Sequence, residues 1–286
     1  MAALRDTWSL TGHLLATQEH LYKSATQHPF LLAGAEGRLP KDILSRWLAN
    51  DRLYIHSYLR AAGQLLASID LPKPVPGSQE TIETQLADWL IEALVSIRKE
   101  ERFFIDVAER YELGIDIATP FPPASQAATG SGTIPGKLPG LVKMEAIFST
   151  LTGLFNRLTT TTSQTTPLIP WLEGALTFWG TERCYLDAWS WARDKAEERR
   201  ASSGGQADGD DADGGALRKE FIPNWSSPEF AQFVAKLGKL IDDAVAGVLE
   251  GREAEEQERL KGEIVGRVEG KWKSLLEAER EFWPEL

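Results

Sequence analysis

The 286 residues are 42% hydrophobic and 26% charged, enough for a sizeable core beneath an ordinary surface. A formal net charge of −11 repels phosphate backbones and anionic lipid, which argues against nucleic-acid and membrane-surface partners. A lone cysteine, Cys184, rules out an intramolecular disulfide and a cysteine-built zinc site, and fits a reducing, cytoplasmic setting.

The chain opens with Met1-Ala2-Ala3-Leu4-Arg5-Asp6, which lacks the apolar core of a signal peptide. No apolar run approaches the roughly 20 residues that a membrane helix needs. Leu10, Leu14 and Leu21 mark a first helical stripe, widened by Trp8, Leu15 and Tyr22. His28-Pro29 breaks it, and Pro40 with Asp42 suits the start of a second helix. Leu44, Trp47, Leu48, Ile55, Tyr58 and Leu59 carry that helix's long apolar face. After a proline-rich break, Leu86, Leu90, Ala93, Leu94, Ile97, Phe104 and Ala108 form a third stripe. Residues 119–140, rich in Pro, Gly, Ser and Thr, read as a long loop. A helix is expected over 141–158, a turn over 159–166 and a strongly aromatic helix over 171–192. Residues 201–216 have almost nothing to bury and read as a disordered linker. Ser226-Ser227-Pro228-Glu229 looks like a capped helix start, and a final helix, kinked near Gly251, runs to Trp283. No stretch alternates like a strand and no repeat has a fixed period. The expectation is one all-α domain over 1–286, a bundle of seven or more helices with the long loops as insertions.

The most informative feature is a set of acids on core-facing stripes. Asp51 lies with Leu44, Leu48, Ile55 and Tyr58, and Glu101 with Leu90, Leu94, Ile97, Phe104 and Ala108. Glu182 lies with Trp171, Ala175, Phe178, Trp179 and Trp189, and Glu279 with Val268, Trp272, Leu276 and Trp283. An ionised carboxylate in a dry core is costly unless paired or hydrogen-bonded. Several together point to a polar pocket inside the bundle, although each alone also fits a stripe edge or an ion pair with Arg52 or Arg183.

Helical di-metal carboxylate sites use Glu-x-x-His pairs, and the sequence has none. No metal site and no cofactor is therefore expected. A heme held by His13 or His20 on the first helix is a competing reading, beside the plainer one of solvated or capping histidines. The Gly-rich stretches match no phosphate loop, and no nucleophile elbow is present.

Several segments, in order, resemble the TenA (thiaminase II) family of the heme-oxygenase-like fold. They are Ala25-Thr26-Gln27-His28-Pro29-Phe30-Leu31, then Gly37-Arg38-Leu39-Pro40, then Trp47-Leu48-Ala49-Asn50-Asp51-Arg52-Leu53-Tyr54. Ile97 to Glu101 resembles the family's next helix, and Asn224-Trp225-Ser226-Ser227-Pro228-Glu229-Phe230 and Glu279-Arg280-Glu281-Phe282-Trp283 complete the set. The resemblance implies a helical bundle that hydrolyses aminopyrimidines or thiamin breakdown products in thiamin salvage, as a homodimer or homotetramer. Asp51 would hydrogen-bond a pyrimidine's ring nitrogen and amino group. Tyr54 would pack near the ring or orient a nucleophile, and Glu279 would give and take the proton. Glu101, Phe148, Glu182 and Trp225 are the further candidate ligand contacts.

The departures from the family pattern also matter. Asn50 stands for its glutamine, Trp225 for a tyrosine, and Phe148-Ser149-Thr150-Leu151 for a segment with two tyrosines. Many members carry a nucleophilic cysteine four residues before a tyrosine. The simplest alignment puts Thr177 there, with Cys184 two turns later. Cys184 is then a displaced nucleophile or a small buried hydrophobe. A second class of the family lacks the cysteine and uses a glutamate, for which Glu182 and Glu101 are candidates. A divergent member that keeps the pocket but is non-catalytic or differently catalytic is the alternative reading.

Overall fold

Capping side chains open four of the helices among the described residues. The structure is a computed structural model that describes residues 8–73, 77, 79–115, 136–160, 168–202 and 211–286, with the side chains of 152–160 left aside. Ser9 Oγ accepts from Gly12 N at 3.1 Å and opens α1 (Leu10–Thr17). Gln18 leaves the helical region (φ −123°, ψ 37°), so the single stripe expected over the first turns is two helices, α1 and α2 (Glu19–Thr26). His28 Nδ1 accepts from Phe30 N at 3.2 Å, and Pro29 begins α3 (Pro29–Ala35). Next come α4 (Lys41–Ala67), α5 (Ile82–Tyr111) capped by Thr81, α6 (Pro139–Thr160) and α7 (Leu172–Ser202). A π-helical turn, Leu217–Phe221, runs into the short α8 (Ile222–Trp225). Ser227 caps α9 (Pro228–Leu249), and α10 (Ala254–Arg280) ends the bundle. The expected kink near Gly251 is a full break, made by a glycine at φ +71°. The fold is all-α, as the periodicity predicts, with no strand among the described residues.

Helix α4 packs on α5 and α6, while α10 packs on α2, α6 and α7, and α7 also meets α3, α8 and α9. Gly140 lets α6 start against the end of α10. A Cβ there would stand 2.3 Å from both Ala278 O and Phe282 N, so only glycine fits. Two buried clusters form the core, one around Trp89, Phe178, Trp179 and Trp272, the other around Trp47, Trp189, Trp225 and Trp283. Tyr54 and Ile97 touch both.

The loops depart from expectation at their ends. Of 119–140, residues 119–135 lie outside the described residues. At its far end Asn50 Nδ2 donates to Gly136 O at 3.1 Å, and Asn50 Oδ1 accepts from Leu138 N at 2.8 Å. Asn50, buried beside Asp51, thus pins the lead-in to α6 onto α4. Of the turn expected over 159–166, Thr159 and Thr160 close α6 and the rest lies outside the described residues. The linker expected over 201–216 needs correction. Ala201 and Ser202 end α7, 203–210 lie outside the described residues, and 211–216 are packed. Asp213, buried, accepts from Gly215 N and Leu217 N, each at 2.8 Å, and Asp211 pairs with Arg218. Aspartates that read as solvated charge instead cap the following turn.

Candidate functional site

On α4 the spacing of Asp51, Tyr54, Ile55 and Tyr58 places them on one face. Helix α5 brings Ile97 and Glu100 to the same space, α7 brings Thr181, Glu182 and Tyr185, and α8 brings Trp225. Together they bound a cavity of about 390 Å³, within the size of small-molecule sites. It opens between α5 and the α8–α9 junction, where Ser96, Lys99, Asn224 and Glu229 are exposed.

Four carboxyls meet around this space, each held by one neutral aromatic donor. Tyr185 donates its hydroxyl to Asp51 Oδ2 at 2.8 Å, and Trp225 Nε1 donates to Glu100 Oε1 at 2.7 Å. Tyr58 donates to Glu182 Oε1 at 2.6 Å, and Tyr54 to Glu279 Oε1 at 3.4 Å. Among the described residues no lysine, arginine or histidine pairs with any of the four.

Burial without a counter-charge disfavours the ionised form. It pushes Glu100 up to about 7, against the pull of the Trp225 hydrogen bond. Burial likewise pushes Glu182 and Glu279 up to about 8, opposed by their tyrosine donors and reinforced by neighbouring acids. Asp51 is raised well above the usual carboxylate range by burial first and Glu100 next. The cluster therefore holds protons at neutral pH and can both give and take them.

The structure brings Asp51, Tyr54, Glu182 and Trp225 to the cavity wall. Glu279 is 3% exposed and sits behind Tyr54, which links it to the wall through its hydroxyl. Glu101 is not at the cavity. It is buried on the other side of α5 and pairs with Arg98, with His56 Nε2 at 2.8 Å and with Arg52 Nε at 3.5 Å. Burial works to raise its carboxyl, but the His56 hydrogen bond and the neighbouring guanidinium groups outweigh it and hold Glu101 below the ordinary range. Phe148 forms a layer behind the wall, its ring 5.8 Å from Tyr54 and stacked on Phe178 at 5.9 Å.

Cys184 does not fit the nucleophile reading. It is 2% exposed, lies off the wall, and burial pushes its thiol well up. Thr177 is also off the wall, its hydroxyl donating to Glu173 O at 2.8 Å. The residue that lines the cavity four positions before Tyr185 is Thr181. Thr181 and Tyr185, one helical turn apart on α7, both line the cavity. Glu100 was hidden beside Glu101. His13 and His20 do not line the cavity, and no group of three or more His, Cys, Asp or Glu among the described residues is placed to hold a metal ion. No helix among the described residues is long and apolar enough to cross a membrane.

Residues 15–72 match the sequence model of the TENA/THI-4/PQQC family. A "Probable transcription factor" of Fusarium pseudograminearum is 26% identical over 251 residues, which is 85% of this chain and 47% of that protein. The chain thus spans about half the length of that curated relative. A TenA family transcription regulator from Silicibacter sp. TM1040 has a similar structure, with TM-score 0.59 at 13% identity over 96% of this chain and 94% of that one. A TenA homologue from P. horikoshii OT3 gives 0.54 at 14% identity over 96% and 99%. At these identities the likeness to the solved structures is one of fold.

Proposed function

From a chain that is TenA-like in residues 15–72 and in its whole described fold, we propose a hydrolase of a small, flat, amino-substituted nitrogen heterocycle. An aminopyrimidine or thiamin breakdown product is the substrate class. One observation carries this reading: an aromatic-walled cavity of about 390 Å³ holds Asp51, Glu100 and Glu182 on its wall, with no cation paired to them among the described residues.

A heterocycle with an amidine-like edge supplies the donors these carboxyls lack. Asp51, already held by Tyr185, has lone pairs free for a ring N–H and an exocyclic amino group. Tyr185, Trp225 and Tyr58 provide faces and edges for the ring. Hydrolysis breaks a C–N bond and forms a C–O bond. One carboxylate takes a proton from water, and one protonated carboxyl gives a proton to the leaving amine. Glu100 near 7 suits the first task, and Glu182 or Glu279 near 8 suits the second. Glu279 acts through the Tyr54 hydroxyl. No thiol lines the cavity among the described residues, so water activated by a carboxylate is the nucleophile in this reading.

The test is ammonia release from a panel of aminopyrimidines. Turnover by the intact chain is expected, with a loss of about 100-fold in Glu279→Gln. Unchanged turnover in that variant removes Glu279 from the reaction.

A second reading is a ligand-responsive regulatory module within a longer protein. It is favoured by the name of the Fusarium relative and by the chain's covering 47% of that protein. The net charge of −11 then leaves any nucleic-acid contact to another part of that protein. Tight ligand binding with no ammonia release supports this reading over the first.

A further inference from the structure

Asp51 and Glu100 face the same cavity from α4 and α5, and after burial it is Glu100 that most raises Asp51. Their sequence neighbours, Arg52 and Glu101, pair with each other at 3.5 Å, joined by His56 and Arg98. This outer clamp ties α4 to α5, and the two inner acids repel across the cavity only once both are ionised. Trp225 satisfies one lone pair of Glu100 and leaves the rest of the carboxyl open. Lys99, next in sequence, is exposed at the mouth and pairs with none of the inner acids. Two acids held together without a cation make ionising either one costly. A cation placed between them relieves that cost, and a neutral ligand of the same shape does not.

We infer that Glu100, held by Trp225, is a specificity-determining residue that makes the cavity select a protonated nitrogen heterocycle over its neutral isostere. The inference rests on the reading above, that the cavity takes a flat nitrogen heterocycle. The titratable groups and Trp225 that line the cavity with Glu100 are Asp51, Tyr54 and Tyr58 from α4, Glu182 and Tyr185 from α7 and Trp225 from α8, with Lys99, Glu229 and Glu92, itself paired with Lys236 of α9 at 3.1 Å, at the mouth. Among the described residues no inner group supplies a competing positive charge. Binding of a cation favours the ionised carboxyls, so it releases protons and strengthens as pH rises through the region near 7.

The test compares two nearly isosteric probes by calorimetry: 4-aminopyridine, protonated at neutral pH, and 4-aminopyrimidine, neutral there. The intact chain is expected to bind 4-aminopyridine about tenfold more tightly, with proton release. Glu100→Gln is expected to erase the preference, weakening the charged probe about tenfold more than the neutral one. Trp225→Phe keeps the carboxyl but removes its donor, and is expected to move the onset of the preference to higher pH. Equal affinities in the intact chain, or a preference kept in folded Glu100→Gln, overturn this inference and leave the heterocycle reading standing. If Glu100→Gln does not fold, the Trp225→Phe profile decides, and an unmoved onset counts against it. Failure of both probes to bind removes the heterocycle reading and this inference together.

Discussion

Glu100 and Glu101 follow one another on α5, yet Glu100 meets an indole N–H and other acids, whereas Glu101 meets Arg52, His56 and Arg98. The same contrast runs along α4, where Asp51 faces the cavity and Arg52 the clamp. A step of one residue turns a helix by about 100°, so neighbours of like chemistry serve opposite ends. On the outer face, charge is neutralised and fastens two helices. On the inner face, carboxyls without a counter-charge keep their protons instead, and ionising them lowers stability.

The largest break in this contrast comes from Asp51→Asn. It replaces a carboxyl that accepts from both Tyr185 and the ligand, and ligand affinity should fall about 100-fold, roughly 3 kcal/mol, by calorimetry. Folding stability above pH 8 should not fall with it, because a buried acid has been removed.

Next in size is Glu182→Gln. The folded chain holds this proton up to about 8, while the unfolded chain releases it near the ordinary glutamate value. The stabilising contribution of the protonated form is complete below the unfolded value and is lost as pH rises through about 8. The variant should therefore be more stable than the intact chain above pH 8, by about 1–2 kcal/mol in denaturant unfolding, with the gain absent near pH 4.

Glu101→Gln should show the opposite sign. Its folded carboxyl lies below the ordinary range, so its contribution is present above the unfolded value and is lost as pH falls through the folded one. The variant should lose about 1 kcal/mol at neutral pH, a small figure because Arg98 and His56 reach solvent, and the loss should fade in acid. The smallest effect expected is at Cys184. A thiol reagent should label it only on unfolding, and Cys184→Ala should leave ligand affinity within about twofold. Rapid labelling of the folded chain would return this thiol to the candidate chemistry.

Helix type and order were legible because most apolar stripes hold to period 3.6, as on α4, where Leu44, Leu48, Ile55 and Tyr58 are all buried. Asp51 was legible for the same reason, as an acid on a buried stripe. Glu101 was legible as buried but not as outward-facing, since periodicity gives the packed side of α5 and not which part of that side borders a cavity. Helix α7 gave less. Residues 171–181 are buried on every face, so no stripe fixes the register, and the threonine in the cavity proved to be Thr181, one turn beyond Thr177. The break at Gln18 carries no Gly or Pro to announce it. The packing of 211–216 rests on Asp213 reaching two backbone N–H groups, which composition does not register.

The most direct test is a pH titration of the side-chain carboxyl carbons in ¹³C-glutamate-labelled protein, with Glu100→Gln, Glu182→Gln and Glu279→Gln to assign the signals. In the free chain, Glu100 should titrate near 7 and Glu182 and Glu279 near 8, while Glu101 titrates below the ordinary range. Four glutamates that all titrate in the ordinary carboxylate range would mean that the inner acids already have the partners this account leaves to a ligand.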